Sequence, residues 1–474
     1  MKKTLYVIIF LLFVILLQAC SKGEGVGKDP GPDPSPNPNP SPEGQMILPK
    51  KQLRGVWIVT AWGLDWPIGD YNTASQKQKY INYLEKFKQL NINAVFVQVR
   101  GMGDAFYNSP YEPWSAAITG TRGQDPGYDV LKFMIDEAHA RGLEFHAWIN
   151  PYRIATRANS STPFPALHPS VNPDWVVSHE LMQIYNPAIP EVRQRLVDII
   201  KDIITKYDVD GIHFDDYFYP YPSQAGQMVS DQNDYQTYKT GNESIEDFRR
   251  SNVDKAIKGV RDMIAATKPE VVFSISPGAD FTTNRNTLYA DIEKWAREGW
   301  MDVVIPQLYN NDAFANKLTE WDRFNNLPPL MIGHGFYLMT NSSQLSNQLI
   351  LAKNKKAVMG NLLYSARYLY DKPDLTNKLA ELWSTPAVIP FLGRAVAPDP
   401  AAPQNVRIEG NTLKWSSSGN VRSVVYYTSS LQQEGKVLAI TPSNELAISQ
   451  SGFYAVSTLN ADNKESAVSK PIKK

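Results

Sequence analysis

Cysteine is all but absent from this chain of 474 residues: Cys20 is the only one. No disulfide can form within it. Net charge is absent too, because Lys+Arg and Asp+Glu stand at 48 each. No broad basic field therefore draws the chain to nucleic acid, and no acidic excess points to disorder. Histidine is scarce, with six copies scattered and no HxxxH or HExxH pair, so the common zinc spacings are missing and neither a metal nor a cofactor is expected. No GxGxxG follows the first apolar strand and no GxSxG occurs anywhere, which removes the commonest dinucleotide site and the serine-hydrolase elbow.

What is there is a globular composition, 43% hydrophobic and 20% charged, long enough for one large domain and a small one. The N-terminus reads as a targeting segment. Lys2 and Lys3 precede an apolar run from Leu5 to Leu17, shorter than the ~20 residues of a membrane span. Leu17-Gln18-Ala19-Cys20 follows, and resembles the signal of bacterial lipoproteins, in which Cys20 becomes the lipidated first residue. Residues 1–20 are thus expected to be a signal peptide and the protein an exported, outer-membrane lipoprotein, with the side it faces left open. Residues 21–49, alternating proline with Asp, Ser and Asn, read as an extended stand-off linker.

From about residue 50 to 395 one unit repeats: a short apolar strand, then an amphipathic helix. Strands are expected at Arg54–Thr60, Ala94–Arg100, Leu143–Asn150, Gly211–Asp216, Val271–Pro277, Val303–Tyr309, Leu330–Tyr337 and Ala357–Tyr364. Helices are expected near Gln76–Leu90, Asp129–Arg141, Glu191–Tyr207, Ile245–Thr267, Tyr289–Glu298, Gln344–Asn354 and Leu375–Trp383. Strand–helix alternation makes the strands parallel, and eight such units predict an α/β fold, a closed (β/α)₈ TIM barrel. Beyond a second Pro-rich hinge, residues 396–474 carry six short alternating segments that predict a small all-β sandwich resembling a fibronectin type III domain.

In such a barrel the chemistry sits at the C-terminal ends of the strands. There the sequence places Arg100; Trp148, Asn150 and Tyr152; His213, Asp215 and Asp216; Gln307 and Tyr309; and Tyr364. Aromatic rings beside amide, guanidinium and carboxylate groups suit a sugar, whose C–H faces stack while its hydroxyls seek polar partners. Two carboxyls at one strand end fit glycoside hydrolysis, which uses a pair of acids across the scissile bond. The bland alternative is that Asp215 and Asp216 cap the next loop or pair with a nearby arginine.

Several segments together resemble the bacterial glycosyl hydrolase-like family ten. They are Arg54-Gly55-Val56-Trp57, Phe96-Val97-Gln98-Val99-Arg100-Gly101, Asp104-Ala105-Phe106-Tyr107, Tyr111-Glu112-Pro113-Trp114-Ser115, the stretch 120–127, His146 to Arg153, Asp210 to Pro220, and Pro306-Gln307-Leu308-Tyr309. The resemblance spans about residues 50–390. It implies a glycoside hydrolase-type barrel, often exported or lipid-anchored, with some members acting on peptidoglycan glycan strands stripped of stem peptides. It carries over Asp215, with Asp216, as the carboxylates of the fourth strand. Ser276-Pro277-Gly278-Ala279-Asp280 departs from the Ser-Pro-Phe-Gly expected after the fifth strand, which leaves the second acid open among Asp280, Asp312 and Glu112.

The expectation is a lipid-anchored glycosidase taking an oligo- or polysaccharide. Asp215 would be nucleophile or base, and Asp216 would act as acid or orient the substrate, including a 2-acetamido group. Arg100, Trp148, Asn150, Tyr152, His213, Gln307, Tyr309 and Tyr364 would bind substrate. Two rivals remain: a metal-dependent carbohydrate esterase using His213, Asp215 and Asp216 as ligands, and a non-catalytic glycan-binding lipoprotein.

Overall fold

In the computed structural model the described residues are 44–474, apart from 223–225, 227, 229, 325–327 and 394–395. The expected signal peptide, and the linker up to residue 43, lie outside the described residues. Eight parallel strands close into a barrel: β1 Leu53–Ile58, β2 Ala94–Arg100, β3 Glu144–Ile149, β4 Gly211–Phe214, β5 Val272–Ile275, β6 Val303–Val304, β7 Leu330–His334 and β8 Val358–Leu363. β8 pairs with β1, and β6 pairs with both β5 and β7, so no edge is left open. The sixth strand is short because Pro306 has no N–H for the ladder. Pairing resumes at Gln307–Leu308, against Gly333 and His334 of β7.

A helix follows each strand: α1 Thr73–Gln89, α2 Val130–His139, α3 Pro190–Lys206, α4 Ile245–Thr267, α5 Ile292–Arg297, α6 Phe314–Trp321, α7 Ser342–Asn354 and α8 Pro373–Leu382. α3 shows why. Pro190 stands in its first turn, where a missing N–H costs nothing, and Val192, Leu196, Ile199, Ile200, Ile203 and Ile204 bury one stripe against the sheet. Each such side chain contributes roughly 1.5–3 kcal/mol. α4 starts where Ser244 accepts the N–H of Asp247 at 3.1 Å, the N-cap that stops a helix from fraying.

The long connection after β3 is not irregular. It folds an antiparallel sheet from Arg153–Thr156, Val176–His179 and Met182–Tyr185 over the rim.

Inside the barrel, Leu53, Trp57, Ala94, Phe96, Trp148, Val272, Val303, Met331 and Leu362 form an apolar stack. The segment after α8 turns beneath it and inserts Ile389 and Leu392 at the base. The tail then forms β9 Gln404–Glu409, β10 Thr412–Ser416, β11 Arg422–Thr428, β12 Lys436–Thr441, β13 Glu445–Ala447, β14 Phe453–Leu459 and β15 Ile472–Lys473. These make two antiparallel sheets, β9-β10-β13 and β12-β11-β14-β15. Leu413 and Trp415 of the first meet Val425, Tyr454 and Val456 of the second, so the sheets face each other. The opposite face of the larger sheet packs on Val388 and on Met46. Packing contacts thus occur ahead of the boundary expected at residue 49: Met46 is buried, and Ile47 accepts the N–H of Gly435 at 2.8 Å. The small domain sits under the N-terminal end of the barrel, tied to it by Asn463 to Glu144 at 2.6 Å and Lys51 to Glu465 at 2.6 Å.

Candidate active site

Above the apolar stack the barrel interior turns polar, and His213 marks the change. It is fully buried on β4. Trp57 Nε1 can only donate, so His213 Nε2, 3.1 Å away, is its acceptor, and Nδ1–H donates to Ser274 Oγ at 2.9 Å. Burial, reinforced by His146, holds its pKa well below the ordinary value, so the ring is neutral. Gly211 precedes it because a Cβ there would lie 2.2 Å from His146 Nδ1.

Asp215 stands one step higher on the same face. Its Oδ2 accepts Trp148 Nε1–H at 3.0 Å and Asn150 Nδ2–H at 3.2 Å, while among the described residues Oδ1 accepts only the Tyr217 N–H, at 3.4 Å. Asn150 is oriented by the Arg153 N–H, which donates to its Oδ1 at 3.0 Å. Burial raises the Asp215 pKa to about 7, against the pull of the Arg153 guanidinium and with a further push from Asp216. Asp216 accepts the Tyr221 hydroxyl, in a short contact, and the Gln307 amide; burial raises its pKa as well, and these donors temper the rise. The two carboxyls are neighbours in sequence with separate sets of donors.

Arg153 connects them. Its Nε donates to Gly101 O at 3.0 Å, and its guanidinium lies between two rings, 4.6 Å from the centroid of Tyr217 and 5.5 Å from that of Trp62. Trp62 is 50% exposed, in a left-handed conformation with φ 54°. Opposite stands a half-buried aromatic wall, with Tyr309, Tyr337 and Tyr364 at centroid spacings of 5.5, 5.8 and 6.1 Å.

The structure brings Asp215, Asp216, Trp148, Asn150, Gln307, Tyr309 and Tyr364 to the mouth. It does not bring three of the expected binding residues there. A register shift between Gln98 and Arg100 turns Arg100 out of the barrel, where Glu112 takes its Nη2 at 2.7 Å and the carbonyls of Asn150 and Pro151 take Nη1. Arg100 therefore braces the β3 loop from behind. Tyr152 is 1% exposed in the outer core, its hydroxyl unpartnered among the described residues. His213 faces inward, but it is sealed beneath Trp57, Phe96 and Trp148, and both nitrogens are engaged. The set His213–Asp215–Asp216 required for the esterase is thus not assembled, and no group of three His, Cys, Asp or Glu side chains suited to a metal occurs among the described residues.

The three candidate second acids are occupied elsewhere. Glu112 is clamped by Arg100 and the Tyr185 hydroxyl. Asp280 caps the helix Phe281–Asn286 through Thr283 N at 2.8 Å and pairs with Lys317 at 3.1 Å, and these partners hold its pKa low. Asp312 is exposed in the turn before α6. None of the three bonds to Asp215 or Asp216. Sequence reasoning left Arg153 and Tyr217 without a role, and it placed Trp62 and Tyr221 near the mouth only as aromatic residues of a strand end and a long loop. Their signal was position, immediately after the ends of β1, β3 and β4.

Comparison with known proteins decides the family. The pattern of the family described as Glycosyl hydrolase-like 10 matches residues 52–326, a span holding β1 to β6 and both carboxyls. The chain belongs to this family. Relatives of the chain include Glycosyl hydrolase YngK of Bacillus subtilis, 36% identical over 419 residues, covering 80% of this chain and 82% of that protein. Glycosyl hydrolase DigH of Escherichia coli K12 is 32% identical over 384 residues, covering 70% and 87%. Among solved structures, the chain is similar to the PgaB (BpsB) glycoside hydrolase domain of Bordetella bronchiseptica, with a TM-score of 0.47, 10% identity and coverage of 70% and 98%.

Proposed function

We propose that this Glycosyl hydrolase-like 10 member hydrolyses glycosidic bonds in a cell-envelope polysaccharide, with peptidoglycan glycan strands lacking stem peptides as its substrate. The observation that carries the reading is the Asp215–Asp216 pair, two buried carboxyls at the mouth with pKa values raised and with different donors. A proton carrier works best with a pKa near the working pH, and about 7 for Asp215 meets that condition. Its weakly occupied Oδ1 is the atom left to protonate the departing sugar oxygen and later to take a proton from the incoming water. Of the two roles expected from sequence, nucleophile or base, this supports the proton-carrying one. Asp216, held by Tyr221 and Gln307, faces the sugar as the second carboxylate, and Arg153 offsets the charge the two would share.

Attachment at the outer membrane through a lipidated Cys20 belongs to the same proposal. It is supported by Lys2, Lys3, the apolar run 5–17 and the Pro-rich tract beyond it. Among the described residues no helix is long and apolar enough to cross a membrane. The C-terminal sheets are proposed as a fibronectin type III-like accessory module.

The test is release of fragments from denuded peptidoglycan, read by mass spectrometry, for the full chain and for Asp215→Asn and Asp216→Asn. The intact chain should release sugars, chelators should not slow it, and both variants should fold yet lose release. Undiminished release by Asp215→Asn sinks the assignment. Tight binding of glycans with no release by the intact chain would favour the non-catalytic rival.

A further inference from the structure

At the foot of the barrel, on the side away from the mouth, lies a cleft of about 230 Å³. Its walls are the segment 49–52 ahead of β1, the last turns of α7, the chain that leaves α8, and residues 434–437 at the start of β12. Five cationic residues line it, Lys50, Lys51, Arg54, Lys353 and Lys436, against one acid, Glu434. Lys353 pairs with Glu434 at 3.2 Å, and Lys51 with Glu465 at 2.6 Å. Lys50, Arg54 and Lys436 have no carboxylate partner among the described residues.

Arg54 is the decisive residue, because it is only 8% exposed. Its Nη1 donates to Thr385 O at 2.6 Å, its Nε to Gln52 Oε1 at 3.4 Å, and the guanidinium lies 5.3 Å from the centroid of Trp383. Nη2, with two N–H groups, has no partner among the described residues. A guanidinium buried this far ordinarily meets a carboxylate; this one meets a carbonyl, an amide and a ring. Burial with no charge opposing it lowers the Arg54 pKa to about 10. Lys50 stands beside the same cleft. Its Nζ donates to Lys355 O at 2.7 Å and Lys353 O at 3.2 Å, which leaves one of three hydrogens over, and burial lowers its pKa although Asp322 pulls the other way.

The groups left over are donors, and they are charged. A neutral ligand would leave that charge uncompensated, and a single carboxylate would answer only one cation. A phosphoryl group carries about −1.5 to −2 charges at neutral pH on strong acceptor oxygens, which matches Arg54 and Lys50 together.

We propose that this cleft is an oxyanion site that takes a phosphoryl group, held by Arg54 and Lys50, at the seam where the N-terminal segment, the barrel and the C-terminal sheets meet. It is separate from the glycan site, since Arg54 stands at the start of β1, at the end of the barrel opposite Asp215. A ligand there touches all three parts and so holds them together.

Calorimetric titration of the full chain with inorganic phosphate at pH 7.5 tests it. One phosphate per chain should bind with a Kd below about 1 mM. The melting temperature should rise with phosphate and not with sodium chloride at equal ionic strength. Lys50→Met and Arg54→Met, which keep the apolar stems, should each weaken binding at least about tenfold. Lys50 is only half-buried, so its variant stays informative if Arg54→Met folds poorly. Phosphatidylglycerol vesicles added beforehand should suppress the titration if the phosphoryl group comes from a lipid headgroup, and leave it unchanged if it comes from a soluble compound. No saturable phosphate binding, an equal rise in melting temperature with chloride, or binding that both variants retain overturns the proposal, and Arg54 then only ties β1 to the chain after α8.

Discussion

At the N-terminal end of the barrel, Leu53, Ala94, Val272 and Val303 are met by Ile389 and Leu392 in one apolar stack. At the C-terminal end, β4 delivers two carboxyls into burial, and the loop after β1 holds Trp62 and Ile68 at φ 54° and 60°. Raising Asp215 from 3.8 to about 7 corresponds to about 4 kcal/mol held against its ionised form. Each left-handed non-glycine residue costs of order 1 kcal/mol more. The base supplies stability and the mouth consumes it. That asymmetry is the physical sign of a site, because a barrel built only to stand would bury no such groups.

The comparison breaks first at Asp215. Asp215→Asn should lower glycan release by at least about 10³-fold, within the range of an acid–base group. The same change should make the fold more stable at pH 8. The folded pKa of about 7 lies above the unfolded value of about 3.9, so the native chain holds this proton more tightly. Stability from this group is therefore fully present below pH 4 and falls as pH rises toward 7. Thermal melts should show the variant ahead of the parent at pH 8 and level with it at pH 4; a variant less stable at pH 8 would contradict the account. At the opposite end, Ile389→Ala should cost about 2–5 kcal/mol in denaturant melts while leaving kcat and KM unchanged.

Arg153→Met sharpens the contrast within the mouth. Removing the cation that lowers the Asp215 pKa should move the alkaline limb of the pH–rate profile to higher pH, and an unmoved limb would show that another group carries the proton. The smallest effect is at Trp62. Trp62→Gly relieves the left-handed backbone while removing a ring from the rim, so KM for oligosaccharides should rise a few-fold, as for a contact of about 0.5–1.5 kcal/mol, without loss of melting temperature.

The barrel was legible because its signals are local and repeated. α4 runs over Ile245–Thr267 as expected, since Ser244 caps one end and an apolar stripe runs its length. Asp215, Trp148 and Asn150 could be placed at the mouth because period two along a straight strand points them inward. Where strands depart from straightness the count failed. The irregularity between Gln98 and Arg100 sends Arg100 outward, and Pro306 interrupts β6. Depth was also invisible, since His213 and Asp215 share a face but only one reaches the opening. Glu112 and Asp280 looked like free acids because their partners, Arg100 with Tyr185 and Lys317, lie far along the chain or beyond a turn. The rim sheet went unseen because its strands are only four residues each, too short for an alternation to stand out.

The docking of Met46 and Ile47 onto the C-terminal sheet also has a mechanical meaning. A pull on the chain ahead of residue 44 loads Gly435, Val388 and the strands around them, and through Lys51 and Gln52 the foot of β1. The rim loops carrying Trp62, Arg153 and Tyr221 lie off that line of force. Under the proposed attachment through Cys20, the load would pass through the base of the molecule and leave the geometry around its acids unstrained.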